Sequence, residues 1–127
     1  MKIKAKKGFH FDAAHCLPGH SGKCASMHGH TYRLEVVVAR KDGGIIADGS
    51  SEGMIIDFGD LNRIVKEEIL DKVDHQCLND LFDFRTTSEN LAAHFFTILN
   101  ERLHANDIVL ERILLWESNT SCVEVER

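Results

Sequence analysis

The sequence contains almost no proline and no long apolar run. Pro18 is the single proline among 127 residues, and neither an internal repeat nor a low-complexity stretch divides the chain. No apolar run approaches the roughly 20 residues that a membrane-spanning helix needs, and no apolar segment follows the first lysines as it would in a secretory signal. We therefore expect residues 1–127 to form one domain that works in the cytoplasm, away from membranes.

Cysteine pairs at metal-binding spacing are also absent. The four cysteines, Cys16, Cys24, Cys77 and Cys122, include no C-x-x-C pair, which argues against a cysteine-rich structural zinc site. We expect Cys16 and Cys77 to be small packing residues and Cys122 to be inert. The formal net charge of −5 argues against a partner that is a nucleic acid.

Apolar patterning predicts an α+β fold. Alternation of apolar and polar residues predicts four strands, over 2–14, 32–39, 108–117 and 121–125. Apolar positions at helical spacing predict two helices, over 58–71 and from about residue 86 to 105. Asp57 is expected to cap the first helix, and Thr86 with Glu89 fits a capping box for the second. The order ββααββ indicates an antiparallel sheet with two helices on one face.

The strongest chemical signal is His28-Gly29-His30. Residues two apart on a strand point to the same face, so the two imidazoles can lie side by side. His15 ends the preceding strand, which should lie antiparallel nearby. Three histidines would fill three positions of a tetrahedral zinc and leave the fourth for water or substrate. An ordinary surface or core role is the competing interpretation for any single histidine. We assign it to His10, His20, His94 and His104, although His20 lies in the loop and could approach an anion.

Two further positions could move protons. Cys24 lies four residues before His28, and a thiol beside a zinc cation can lose its proton near neutral pH. It could then bind the metal, attack an electrophile or remove a proton. Asp74 precedes His75 in the break between the helices, where a carboxylate could orient the imidazole and raise its basicity. Adjacent residues do not automatically touch, so this pair is a weaker signal than the histidines.

Glu117 follows a largely apolar strand that ends at Trp116. A carboxylate in this position lies either at the solvent edge or in a buried place with hydrogen-bond donors. The pattern by itself favours the solvent edge. A carboxylate also suits the two parallel N–H groups at the edge of a guanidine-like heterocycle.

Taken together, these motifs resemble the 6-pyruvoyl-tetrahydropterin synthase superfamily over nearly the whole chain. The resemblance rests on Phe11-Asp12-Ala13-Ala14-His15, Cys24-x-x-x-His28-Gly29-His30, Asp74-His75, Thr87-Ser88-Glu89-Asn90 and Trp116-Glu117. It implies the tunnelling fold (T-fold), in which the sheets of several subunits join into a barrel. It also implies a homohexamer, a dimer of trimers, with active sites between subunits.

The resemblance further implies a role for each matching residue. Zn²⁺ would be held by His15, His28 and His30, and Cys24 would act as the base toward 7,8-dihydroneopterin triphosphate. His75, oriented by Asp74, would be the complementary acid–base group. The pterin ring would be held by Glu117, with help from Thr87, Ser88 and Glu89. Lys23 and His20 are the candidates for binding the triphosphate.

Within this superfamily, the spacing from Cys24 to His28 resembles the bacterial 6-carboxy-tetrahydropterin synthases of queuosine biosynthesis. These lyases release acetaldehyde and triphosphate and leave 6-carboxy-5,6,7,8-tetrahydropterin. An aldolase-like branch uses a glutamate near this motif, where the present chain has Ser26 and Met27. A pyruvoyl-forming synthase is the alternative in the same class, and a non-catalytic metal- or pterin-binding module is the alternative in another class. The family often has Pro where this chain has Thr86.

Overall fold

Two long antiparallel strands form the centre of the structure, a computed structural model that describes residues 1–127. Strand β1 (Ala5–His15) pairs with β2 (His28–Arg40) along its whole length, so that the loop between them joins His15 to its partner His28. Strand β4 (Ile108–Trp116) pairs antiparallel with β2, and β5 (Cys122–Glu126) pairs antiparallel with β4. These four strands match the four that the alternation predicts.

A fifth strand makes the sheet mixed rather than purely antiparallel, which corrects one detail of the expected fold. Gln76 and Cys77 form a two-residue strand, β3, that runs parallel to β1 beside Ala13 and Ala14. The order across the sheet is β3-β1-β2-β4-β5. Two residues are too few to show an alternating pattern, so the sequence gives no signal for this strand. The α+β class itself is confirmed.

Three helices cover the sheet. Helix α1 (Phe58–Val65) continues through a π-helical turn (Lys66–Leu70) and a last turn (Asp71–Val73). The short α2 (Leu78–Leu81) was not expected, and α3 (Ser88–His104) is the longest. No helix combines the length and the apolar character that crossing a bilayer requires.

The helix caps confirm one sequence prediction and correct another. The Asp57 carboxylate accepts a 2.6 Å hydrogen bond from the backbone N–H of Gly59, as expected of an N-cap. Thr87 rather than Thr86 caps α3, because its hydroxyl accepts a 3.2 Å hydrogen bond from the N–H of Asn90. The predicted capping box of Thr86 and Glu89 is therefore wrong by one residue. Thr86 is fully buried instead, and it contacts a histidine described below.

The core lies between the helices and one face of the sheet. Residues on β1, and on β2 as far as Val36, alternate between this buried face and the opposite exposed face, as the period of two requires. Beyond Val36 both faces of β2 are covered, because Val37 and Ala39 are buried too. The buried face carries Phe9, Phe11, Tyr32, Leu34 and Val36, which pack against Leu61, Ile69, Leu91, Phe95 and Leu99 of the helices. The exposed face carries His10, Asp12, Thr31 and Arg33. His15, His28 and His30 continue the buried-face positions to the strand ends, so the fold directs all three toward the covered side of the sheet.

Candidate metal centre and active site

Strand pairing brings the three predicted metal ligands together. His15 lies opposite His28, and His30 lies opposite Ala13, two residues before His15. The ring centroids are 4.6 Å apart for His15 and His28, 5.2 Å for His15 and His30, and 4.8 Å for His28 and His30. These three side chains, which we call the histidine cluster, occupy one end of the β1–β2 hairpin.

Backbone carbonyl groups fix the orientation of two of these rings. The Nδ1 atom of His15 lies 2.8 Å from the carbonyl oxygen of Thr86 and 3.2 Å from its hydroxyl oxygen. The Nδ1 atom of His28 lies 2.7 Å from the carbonyl oxygen of Ser26. Because a carbonyl oxygen only accepts, Nδ1 carries the proton in both rings, and the lone pair is left on Nε2. This arrangement is typical of histidines that bind a metal through Nε2.

The Nε2 atoms of all three rings fit a metal ion. They are buried, and none makes a well-aligned hydrogen bond within the chain, although a carboxylate oxygen of Glu117 lies 3.0 Å from Nε2 of His30. Together with a carboxylate oxygen of Glu117, these ligand atoms lie within 4.8 Å of one another. A buried nitrogen without a partner is unfavourable unless something binds it. Three imidazole nitrogens and one oxygen suit zinc and also other divalent transition metals.

Glu117 turns toward the histidine cluster. Its Oε1 atom lies 3.0 Å from Nε2 of His30 and 3.8 Å from Nε2 of His15. The side chain is 32% exposed, so it lies neither wholly at the solvent edge nor wholly in the core. The carboxylate can therefore be reached by a molecule that enters the site.

Burial favours the neutral form of two of these rings, His15 and His30. The pKa of His15 is lowered from 6.5 mainly by burial, and further by the charges that His28 and His30 would carry, although the Thr86 carbonyl opposes the change. The pKa of His30 is also lowered mainly by burial, against the opposing effect of Glu117. Because only the neutral imidazole binds a metal, these shifts favour metal binding at neutral pH.

Asp74 and His75 do touch, as predicted. Oδ1 of Asp74 lies 3.0 Å from Nδ1 of His75 and accepts a 2.9 Å hydrogen bond from the N–H of Asp12. That N–H is the main cause of the lowered pKa of Asp74, and His75 adds to it. The backbone of His75 is left-handed, with φ of 60°, and its N–H donates to the Asp12 carbonyl at 2.6 Å. The pair is thus held firmly beside β1.

The Asp74–His75 pair forms a group separate from the histidine cluster within one chain. His75 lines an open groove of about 560 Å³ together with Asp12, Thr31 and Cys77. His30 also lines this groove, so the groove reaches the edge of the cluster.

Cys24 lies in a short 3₁₀ turn (Lys23–Ala25) of the loop between β1 and β2. Its thiol is free and half-buried, as are the thiols of Cys16 and Cys77, whereas Cys122 is exposed. The N–H of Leu17 donates a 2.7 Å hydrogen bond to the Cys24 carbonyl, which ties the turn back to the end of β1. The turn is therefore fixed near the histidine cluster.

The remaining predicted residues differ in what they contact. The Thr87 hydroxyl is used as a helix cap, Ser88 is buried with an unpartnered hydroxyl, and Glu89 is exposed. Lys23 and His20 are exposed, and Nδ1 of His20 accepts a hydrogen bond from the N–H of Gly22. No contact ties these two basic residues to the cluster, so their role toward the triphosphate stays a prediction.

Sequence reasoning missed two residues of the site, Thr86 and Tyr32. Thr86 contacts His15 mainly through its backbone, which leaves no mark in the sequence. Tyr32 follows His30 by two residues, and the ring centroids of the pair are 5.4 Å apart. The period of two that links His28 to His30 extends to Tyr32 and could have identified it.

Comparison with known proteins identifies relatives over the full chain. Residues 4–127 match the family model described as 6-pyruvoyl tetrahydropterin synthase. A 6-carboxy-5,6,7,8-tetrahydropterin synthase of Haemophilus influenzae is 37% identical, over 98% of this chain and 99% of the relative. A dihydroneopterin monophosphate aldolase of Pyrococcus furiosus is also 37% identical, over 99% of both chains. The solved structure of Caenorhabditis elegans 6-pyruvoyl tetrahydropterin synthase superposes with a TM-score of 0.81 at 26% identity, covering 98% of this chain and 95% of that one.

Proposed function

The chain belongs to the 6-pyruvoyl tetrahydropterin synthase family, and on that basis we propose that it converts 7,8-dihydroneopterin triphosphate to 6-carboxy-5,6,7,8-tetrahydropterin. Acetaldehyde and triphosphate would be the other products. Its relatives named 6-carboxy-5,6,7,8-tetrahydropterin synthase make the chain an enzyme of the lyase class that acts on pterins. The proposal includes a place in queuosine biosynthesis and a cytoplasmic location, which four free cysteines would suit.

The observation that carries the proposal is the convergence of three buried Nε2 atoms, none of which makes a well-aligned hydrogen bond. His15, His28 and His30 would hold Zn²⁺. When bound, zinc would polarise the side-chain oxygens of the substrate and acidify neighbouring C–H and O–H groups. The carbonyls of Thr86 and Ser26 would keep two of the ligands in the required tautomer.

Cys24 and the Asp74–His75 pair would move the protons. Cys24 would remove a proton from the substrate as a thiolate, and His75 would return one. Asp74 supports this role because it accepts from Nδ1 of His75 and so stabilises the charged imidazole.

Oligomerisation would bring these groups together. Because the pair and the histidine cluster form separate groups in one chain, a second copy would supply His75 to the cluster of the first. The outer edges of β3 and β5 have no partner within the chain and are available for such contacts. A hexamer would have about six times the 14.3 kDa mass of the chain, which light scattering after gel filtration would measure.

Glu117 would hold the pterin ring through its amino and ring N–H groups, with Thr87, Ser88 and Glu89 at the pocket wall. The partial exposure of the Glu117 carboxylate supports this role, because a ligand can reach it.

A dihydroneopterin aldolase is the alternative that the relatives raise, since the Pyrococcus protein, like the Haemophilus one, is 37% identical to this chain. The residues between Cys24 and His28 favour the carboxy-forming synthase over the aldolase. The aldolase-like branch uses a glutamate near this motif, and Ala25, Ser26 and Met27 include no acid. A pyruvoyl-forming synthase would share the same metal, base and ring-binding residues.

Product analysis separates these activities. Zinc-loaded protein is incubated with 7,8-dihydroneopterin triphosphate, and the products are identified by mass spectrometry. Carboxy-tetrahydropterin with acetaldehyde is the expected result. Pyruvoyl-tetrahydropterin without acetaldehyde would move the protein to the synthase branch. 6-Hydroxymethyl-7,8-dihydropterin together with glycolaldehyde triphosphate would indicate the aldolase, and no product would favour a binding module.

A further inference from the structure

Tyr32 carries a buried hydroxyl that the functions assigned so far do not use. The side chain is 0% exposed, and its hydroxyl has no hydrogen-bond partner within the chain. The ring is fixed in place, because it stacks on Phe11 with a centroid distance of 4.8 Å and an interplanar angle of 11°. A phenylalanine would pack equally well at this position and would leave no polar group unpaired.

The Tyr32 ring is a neighbour of the histidine cluster. The Tyr32 ring lies edge-on to His30 and His15, with centroid distances of 5.4 and 6.3 Å. The phenol hydroxyl is thus a hydrogen-bond donor without an acceptor, on a ring that lies against the cluster.

Two kinds of unpaired polar atom thus lie in neighbouring side chains. The Nε2 atoms of the cluster lack a partner that accepts their lone pairs, and the Tyr32 hydroxyl lacks an acceptor for its proton. A metal ion would bind the Nε2 lone pairs, and an oxygen atom would accept the hydrogen bond of the Tyr32 hydroxyl. The alcohol oxygens on the side chain of a dihydroneopterin are of the required kind.

We propose that Tyr32 is a further catalytic residue, whose hydroxyl donates a hydrogen bond to a side-chain oxygen of the substrate bound at the histidine cluster. This inference rests on the proposed function, since it takes the substrate to be a pterin with an oxygenated side chain. The bond would position that side chain and stabilise negative charge that develops on its oxygen.

Tyr32→Phe tests the proposal, because it removes one oxygen atom and keeps the stacked ring. The matched control is Thr97→Val, which deletes a hydroxyl that bonds the Ala93 carbonyl on the exposed side of α3. Four quantities are measured for both variants and the unsubstituted protein: melting temperature without metal, zinc affinity, kcat/KM for 7,8-dihydroneopterin triphosphate, and fluorescence-detected affinity for two unreactive pterins. Neopterin carries the side-chain oxygens, and 6-methylpterin lacks them.

A catalytic hydroxyl gives a distinctive set of results. Tyr32→Phe should melt at the same or a higher temperature, because an unpaired buried donor is removed, and it should bind zinc normally. Its affinity for neopterin should fall about tenfold while its affinity for 6-methylpterin is unchanged, and kcat/KM should fall about tenfold or more. Thr97→Val should leave zinc, pterin binding and kcat/KM unaltered.

Two other results would overturn the proposal. One is a lower melting temperature with an unchanged preference for neopterin, which would make the hydroxyl structural. The other is wild-type kcat/KM and neopterin affinity in Tyr32→Phe while the unsubstituted enzyme is active, which would leave the proposed function standing without Tyr32. Failure of the unsubstituted, zinc-loaded protein to bind or convert either kind of pterin would instead refute the proposed function, and the inference would fall with it.

Discussion

The side chain of His15 is held by Thr86, a residue 71 positions further along the chain, through a 2.8 Å contact between its Nδ1 atom and the Thr86 carbonyl oxygen. The Thr86 hydroxyl adds a longer contact of 3.2 Å to the same atom. This relationship joins the start of α3 to the end of β1, and so couples the helix layer to the geometry of the candidate metal centre.

Substitutions of Thr86 can measure the contribution of its hydroxyl apart from that of its backbone carbonyl. Thr86→Val should lower zinc affinity by about two- to tenfold, below the 10–100-fold typical of losing an outer ligand partner, because the carbonyl stays in place. Thr86→Ser keeps the hydroxyl and should bind zinc as the unsubstituted protein does. Competition with a chromogenic chelator measures both affinities. Equal affinities in the two variants would show that the hydroxyl contributes nothing.

Cys24 is expected to act on the substrate and not on the metal. Cys24→Ala should lower kcat by about 10²–10⁴-fold, the usual effect of removing a general base, while zinc content stays at one ion per chain. Cys122→Ala is the control, because Cys122 is an exposed thiol on the outer strand β5. Near-normal turnover in Cys24→Ala would exclude the thiol as the base.

One substitution can show whether the Glu117 carboxylate binds the pterin ring or the metal ion. If the carboxylate holds the pterin ring, Glu117→Gln should weaken neopterin binding by about tenfold or more, as expected for loss of charge-assisted hydrogen bonds, with zinc affinity nearly unchanged. Glu111→Gln, on strand β4, which ends one residue before Glu117, serves as the control. A variant that loses zinc but binds the pterin normally would show that Glu117 is a fourth metal ligand, as its 3.0 Å contact with His30 also permits.

The metal-free protein should lose stability as the pH falls. His15 and His30 have pKa values below 6.5 in the folded state, so the unfolded chain binds more protons once the pH drops through about 6.5. As far as these two histidines are concerned, the free energy of unfolding is nearly constant above about pH 6.5 and decreases as the pH falls below it. The urea midpoint should fall between pH 7.5 and pH 5.5.

A control for this pH dependence is His94→Gln. Burial among Phe82, Phe84 and Phe95, and the charge of Lys72, also lower the pKa of His94, so this residue contributes to the same trend. If the histidine cluster carries part of the effect, the midpoint of His94→Gln should still fall on acidification. A midpoint that no longer changes with pH in this variant would assign the effect to His94 alone.

Much of the site could be predicted because it depends on short-range rules. A period of two places His28 and His30 on one face, and a hairpin returns His15 to them. The contact between Asp74 and His75 was harder to predict, because it depends on a left-handed backbone at His75 that a histidine rarely adopts. The start of α3 was misplaced because two consecutive threonines can each act as a cap, and the choice is made by the burial of Thr86 against His15.

The one-sided burial of the sheet has a consequence for how the sequence can vary. Along β1, and along β2 as far as Val36, substitutions should be tolerated with a period of two. Positions such as Phe11 and Leu34 should accept few residues, whereas His10 and Arg33 are free to change as far as a single chain is concerned. A saturation-mutagenesis profile that keeps this alternation would mean that the open face meets only solvent. A profile in which the alternation disappears would mean that the open face is as constrained as the core face, because it is covered in the assembled protein.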